Sequence, residues 1–209
     1  MKNRFSLALV LPVVLLLASG PAAALPMHVF GGYQQSPNQP FVMLTPEEVS
    51  GGQYCKQTGG KVEVRTPVYG TNVSSSKGTL VLSGHAVFCR YTAKDTSTIH
   101  VLATTLNATM PTLAALAYYA KVSTKGMTCT GDPSSCYCTL LGGSDQFGGT
   151  TFAGGAWVLK GGVDEDLHAC IFPDLSSIDS WGLTYHSEGA IRGIDLGTVL
   201  RFKNPFHHH

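Results

Sequence analysis

"YCKQTGG" at residues 54–60 returns as "YCTLLGG" at residues 137–143. Each copy reads Tyr, Cys, three variable residues and a Gly pair, and each follows a helix-start signal. Thr45-Pro46-Glu47-Glu48 offers Thr as N-cap, Pro at the first helical position and Glu48 to complete a capping box. Asp132-Pro133 opens the second copy in the same way. Tyr54 and Cys55, like Tyr137 and Cys138, then fall on the last turns of short helices. Gly59-Gly60 and Gly142-Gly143 stop them, the first Gly of each pair suiting the left-handed position after a helix.

Each motif leads to a further cysteine inside a strand-like run, "GHAVFCRY" around Cys89 and "DLHACIF" around Cys170. The text that follows is also related, "STIHVLA" at 97–103 and "SSIDSWGL" at 176–183. Six cysteines allow 15 pairings. Equivalent copies should pair equivalently, which predicts Cys55–Cys89 and Cys138–Cys170 and leaves Cys129 and Cys136 to close a small loop. A zinc reading has little support, since "CYC" is not a Cys-x-x-Cys knuckle and no second knuckle accompanies it. Alternating strand patterns fill the rest: "KVEVRTPVYG" and "TLVLSGHAVFCRY" in the first copy, "GGAWVLKGG", "LHACIF" and "AIRGIDLGTVLRF" in the second. "LAALAYYA" at 113–120, after Met110-Pro111, reads as a buried amphipathic helix within Pro111 to Val122. The expected fold is α+β, a single compact structure of two tandem units, each a short helix disulfide-stapled to an antiparallel β-sheet.

The N-terminus reads as an export signal over residues 1–24. Lys2 and Arg4 precede an apolar run from Leu7 to Leu17, then Gly20-Pro21 and the small residues Ala22-Ala23-Ala24. The run is short of the roughly 20 residues a bilayer span needs. Cleavage would leave 12 basic residues against the 13 acidic ones, a balance with no electrostatic footprint for nucleic acid or an anionic membrane. The expected compartment is secreted or periplasmic, with no transmembrane anchor in the mature chain. Residues 25–44 read as an extended arm with two apolar runs. Met27, Val29, Phe30, Phe41 and Val42 are candidates for contact with a protein partner or with another subunit, with pairing to the protein's own sheet as the simpler reading. The first unit then covers 45–125 and the second 126–209.

"DPSSCYCTLLGG" followed by "ACIFPDLSSIDSWGL" resembles a bacterial exported family of unknown function that often carries the label haemolysin. Its pattern falls here on Asp132 to Gly143, Cys170, Phe172, Asp174, Ser176, Asp179, Trp181 and Leu183, with Leu175 where the family usually has Gly. The first copy keeps Tyr54, Cys55, Gly59, Gly60 and Cys89, inserts two residues and has no Trp at the equivalent ending. The resemblance implies a tandem pair with a degenerate first copy. Nothing in the sequence forms a long amphipathic, pore-forming segment, so the label implies no activity by itself.

Catalytic signatures are missing from the sequence: no Gly-x-Ser-x-Gly, no His-Glu-x-x-His and no phosphate-binding loop. His85 and His168 lie at nearly corresponding places before the strand cysteines, and His100 and His186 lie at the related endings, within the first and just beyond the second. A pair of these with Asp164, Glu165 and Asp166 would make a metal or acid–base site, but no ligand spacing is diagnostic and half-exposed strand positions explain the histidines more simply. Neither a cofactor nor a catalytic residue is expected. Trp157 and Trp181 read as core aromatics or binding anchors. Asn72 and Asn107 fit the N-glycosylation pattern, and His207 to His209 receive no role. The sequence therefore points to a non-catalytic exported protein that binds or assembles. A haemolysin-like toxin or hydrolytic factor and a protease-inhibitor-like module are the alternatives.

Overall fold

The computed structural model describes residues 42–72, 80–145, 154–159 and 166–206. The export signal, Asp164, Glu165, the terminal histidines and the arm residues Met27, Val29, Phe30 and Phe41 lie outside them; Val42 lies just inside. The element order is α1 (Pro46–Gln57), β1 (Lys61–Tyr69), β2 (Leu80–Val81), β3 (Ala86–Thr92), β4 (Thr98–Leu102), α2 (Ala103–Asn107) and α3 (Leu113–Ala120). It continues with α4 (Pro133–Leu140), β5 (Gly155–Leu159), β6 (Ala169–Ile171), β7 (Ser177–Asp179), α5 (Ser180–Ser187) and α6 (Leu196–Val199).

Helix α1 begins as its sequence requires. The Glu48 amide donates to Thr45 Oγ1 at 3.2 Å and the Thr45 amide donates to Glu48 Oε2 at 2.9 Å, a reciprocal capping box. Helix α4 is capped by Asp132, whose Oδ1 accepts from the Ser134 amide at 2.7 Å. Both helices end in a left-handed glycine, Gly59 at φ +86° and Gly142 at φ +84°.

The architecture is α+β, with one antiparallel sheet in the order β2-β1-β3-β4-β7-β6 and β5 added to β1. Strands from both parts of the chain share this sheet, because β4 pairs with β7, Val101 opposite Ile178. Joining them satisfies the inner edges that two separate sheets would leave open. The run 190–202 differs from the strand expected there. Asp195 Oδ1 accepts from the Gly197 amide at 2.9 Å and starts the one-turn α6, and Gly193 at φ +63° breaks any extended run before it.

Alternation along the strands gives the sheet two unlike faces. Cys89, Tyr91, Ile99, Val101, Cys170 and Ile178 point to the main core, where they meet Cys55, Leu106, Tyr118, Tyr137, Cys138, Leu183 and Leu196. The opposite face holds a smaller apolar cluster of Ala86, Phe88, Leu167 and Ala169 with Leu102 and Trp157 packed against it. Glu63, Arg65 and His100 alternate onto that same second face.

Of the three disulfides, Cys55–Cys89 and Cys138–Cys170 lie in the main core, and Cys129–Cys136 closes a short loop nearer the surface. Two tie a helix to a strand, α1 to β3 and α4 to β6. With sequence separations of 34 and 32 residues, each of these closes a loop worth about 3.7 kcal/mol by the chain-entropy argument. The second glycine of each motif lies against its staple. A Cβ on Gly60 would strike Cys89 Sγ, and one on Gly143 would sit 2.5 Å from Cys170 Sγ and 3.0 Å from Cys138 Sγ. Only a residue without a side chain fits there.

Candidate functional site

Residues of β1, β4 and β7 bring four charged side chains together on the second face of the sheet. Arg65 places Nη2 at 2.7 Å and Nε at 3.1 Å from Glu63 Oε2, a fork onto one oxygen. His100 Nε2 lies 3.4 Å from that oxygen and 3.3 Å from Arg65 Nη2. His100 Nδ1 lies 3.5 Å from Asp179 Oδ2, an ion-pair distance at which no hydrogen bond is aligned. Arg90 and Lys61 approach Glu63 Oε1 from the rim at 3.5 and 3.4 Å.

The cluster is sealed: the Glu63 and Arg65 side chains are each 1% exposed. Burial would raise the Glu63 pKa, but hydrogen bonds from His100 and Arg65 and the Arg65 charge drive it far below the usual carboxylate range. Burial also works against a charged His100, and Asp179 and Glu63 overcome it, so its pKa lies above the ordinary value. Glu63 and Asp179 thus face Arg65 and His100 in a buried cluster, with Arg90 and Lys61 at its rim. The arrangement can hold the sheet in register and fix β4 against β7. It offers no route by which a substrate reaches an acid or a base.

Asp179 serves two elements at once. Its Oδ1 accepts from the Gly182 amide at 3.0 Å, capping α5, while Oδ2 faces His100. Gly182 lets α5 lie close on β4, since a Cβ there would be 2.6 Å from Ile99 Cγ1.

His85 and His168 do not meet. His85 Nε2 lies 3.3 Å from Glu48 at the start of α1, and His168 Nδ1 lies 3.8 Å from Asp132 at the start of α4. Among the described residues no group of three or more His, Cys, Asp or Glu side chains is placed to hold a metal ion, and every cysteine is paired. Asp166 is exposed and joins neither histidine pair. His186 is buried instead, stacked on Tyr118 with ring centroids 3.7 Å apart, and burial pushes its pKa down to about 4.

The tyrosines of the repeated motif reach across the molecule. Tyr54 Oη donates to the Val199 carbonyl at 2.9 Å and Tyr137 Oη donates to the Val122 carbonyl at 2.7 Å. Two hairpin turns have a matching construction. Ser97 donates its amide and hydroxyl to Asp95 Oδ1 around Thr96 at φ +68°, and Ser176 does the same to Asp174 Oδ1 around Leu175 at φ +64°. The first of these turns was hidden in the sequence by a longer hairpin.

Helix α5 carries half-buried Trp181 and exposed Tyr185. Trp181 and Tyr185 lie one turn apart with ring centroids 5.7 Å from each other, and the Arg192 guanidinium lies 5.1 Å from the Tyr185 ring centre. Ile191, beside the half-buried Arg192, is exposed. Trp157, by contrast, packs edge-on against Phe88 at 5.7 Å. An open groove of about 420 Å³ with mixed lining lies between the start of α1 and α2, bordered by Pro46, Glu47, Ser50, Thr104, Asn107 and Ala108.

Comparison of the chain with protein-family models, with curated proteins and with solved structures finds no match. The reading of function therefore rests on this geometry. No helix among the described residues is long and apolar enough to cross a membrane, and three disulfides fit an oxidising compartment.

Proposed function

We propose that this protein is an exported, non-catalytic tandem of two disulfide-stapled modules that acts by binding or assembly in the envelope or outside the cell. The observation that carries the reading is the contrast between what is sealed and what is presented. The charged constellation dense enough for chemistry is buried on one face of the sheet, whereas exposed Tyr185 with half-buried Trp181 and Arg192 forms a partly exposed aromatic and cationic patch. Such faces supply large contact area at small entropic cost.

The tandem part of the reading is supported by matched construction. In both parts a capped helix ends in Tyr-Cys-x-x-x-Gly-Gly, staples to a hairpin and is followed by an Asp-x-Ser turn. The likeness to the bacterial haemolysin-labelled family rests on the same residues. The arm at 25–44 is assigned to partner or self-contact on its apolar pattern alone.

Light scattering with negative-stain microscopy of the native secreted protein tests the assembly branch. Regular oligomers or filaments that are lost on deleting 25–44 support it, and a monomer at every concentration overturns it. Binding through the α5 face is tested by Trp181→Ala with Tyr185→Ala. Retention of all partner capture by that variant, with its fold intact, overturns the assignment of this face.

A further inference from the structure

Around the β4–β7 pair the adjoining strands of the two parts correspond as in a symmetric dimer, although the pairing of β5 with β1 has no counterpart on the other side. Val101 opposes both Cys89 and Ile178, and Ile178 opposes both Cys170 and Val101. The correspondence continues outward. Lys61, next to Gly60, pairs with Arg90, and Ser144, next to Gly143, pairs with Ile171. A strand pair that places equivalent residues opposite one another is self-complementary, as in a two-fold interface.

The grips across this seam are reciprocal. Tyr54 of the first part holds the Val199 carbonyl of the second, and Tyr137 of the second holds the Val122 carbonyl of the first. Ser97 Oγ accepts from the Gly193 amide at 3.2 Å, and Ser176 Oγ accepts from the Ala114 amide at 2.9 Å. All three disulfides lie within one part or the other, so no covalent staple crosses the seam. The parts are joined by a connector that leaves α3 through Lys121 at φ +46° and reverses at a Thr124–Met127 turn with Gly126 at φ +82°.

We propose that the β4–β7 seam is also the surface through which two copies of this chain join, by exchanging the parts before and after the connector. Every grip named above is then remade between copies, and only the connector changes conformation. The inference rests on the tandem reading under Proposed function, and it adds the partner: a second copy of this chain.

The first test deletes Ser123 to Gly126, removing the reversal that lets one chain close on itself, since shortened hinges favour exchange. The expected product has twice the monomer mass, keeps three disulfides in each chain and does not dissociate on hundredfold dilution. A folded monomer overturns the proposal. The second test needs no variant. Unlabelled and ¹⁵N-labelled wild-type protein are mixed at high concentration, held at the denaturation midpoint without reductant, and returned to native conditions. Native mass spectrometry should show dimers of intermediate mass, and their absence overturns the proposal even if the deletion variant fails to fold. A third measurement separates this from the tandem reading. A specific protease site inserted at Gly126 is cut in the full chain, and the fragments are separated in denaturant and remixed. Fragments that fail to re-form one particle sink the tandem reading. Fragments that re-form, alongside a wild type that never gives mixed-mass dimers, sink the exchange alone.

Discussion

Replacing Gly143 with Ala is expected to destabilise the protein more than the same change one residue earlier, at Gly142. At Gly142 the backbone is left-handed, φ +84°, and a Cβ would meet nothing within 4 Å. The cost there is conformational, about 1–2 kcal/mol for an L-residue in that region. Gly143 has no left-handed φ, but a Cβ would sit 2.5 Å from Cys170 Sγ, 3.0 Å from Cys138 Sγ and 3.2 Å from the Ile171 carbonyl oxygen. Overpacking of this kind costs about 1–3 kcal/mol when the structure absorbs it. If the Cys138–Cys170 bond yields instead, about 3.7 kcal/mol of loop-closure stabilisation is lost. The two routes together span about 1–4 kcal/mol. Gly60→Ala should behave alike, because its Cβ would strike Cys89 Sγ and lie 2.8 Å from Cys55 Sγ. The assay is guanidinium unfolding without reductant, with free thiols counted in the same samples. The reasoning fails if Gly143→Ala loses no more stability than Gly142→Ala and shows no free thiol.

Other consequences can be measured in the same way. Glu63→Gln should cost about 3–5 kcal/mol in chemical denaturation, as expected when one partner of a buried charge network is removed. The raised pKa of His100 means that its contribution is full below the ordinary value of 6.5 and is lost as pH rises through the folded-state value, so the alkaline limb of the stability profile should flatten in His100→Asn. His186 acts with the opposite sign: its folded pKa of about 4 gives stability that is present above 6.5 and lost as pH falls toward 4, and His186→Phe should remove that acid limb. Leu175→Gly should raise the melting temperature, because Leu175 is 75% exposed and holds φ +64°, which glycine adopts without penalty.

Much of the scaffold was legible in local text. The capping box at Thr45, the glycine stops and the staple pairing follow from chemistry that acts within a few residues or from the repeat. What escaped the sequence depends on register and distance. Glu63 and Arg65 alternate with Val62 and Val64, a pattern that reads as a strand with a solvent-facing side. Only pairing β1 through β3 to β4, and β4 to β7, brings them to His100 and Asp179. The strand expected at 190–202 failed because Asp195 is a helix cap and Gly193 a turn, two short-range signals outweighed by the apolar alternation around them. The merging of two expected sheets into one was also out of reach, since it depends on the long-range pairings of β4 with β7 and of β1 with β5.

The order of the disulfides has a consequence for how the chain matures. In sequence the cysteines are 55, 89, 129, 136, 138 and 170, and the bonds join the first to the second, the third to the fourth and the fifth to the sixth. A chain delivered N-terminus first to an oxidase, each cysteine joined to the next one to arrive, reaches the native pattern with no wrong bond to undo. Oxidation can keep pace with delivery, and a disulfide isomerase has no step to correct.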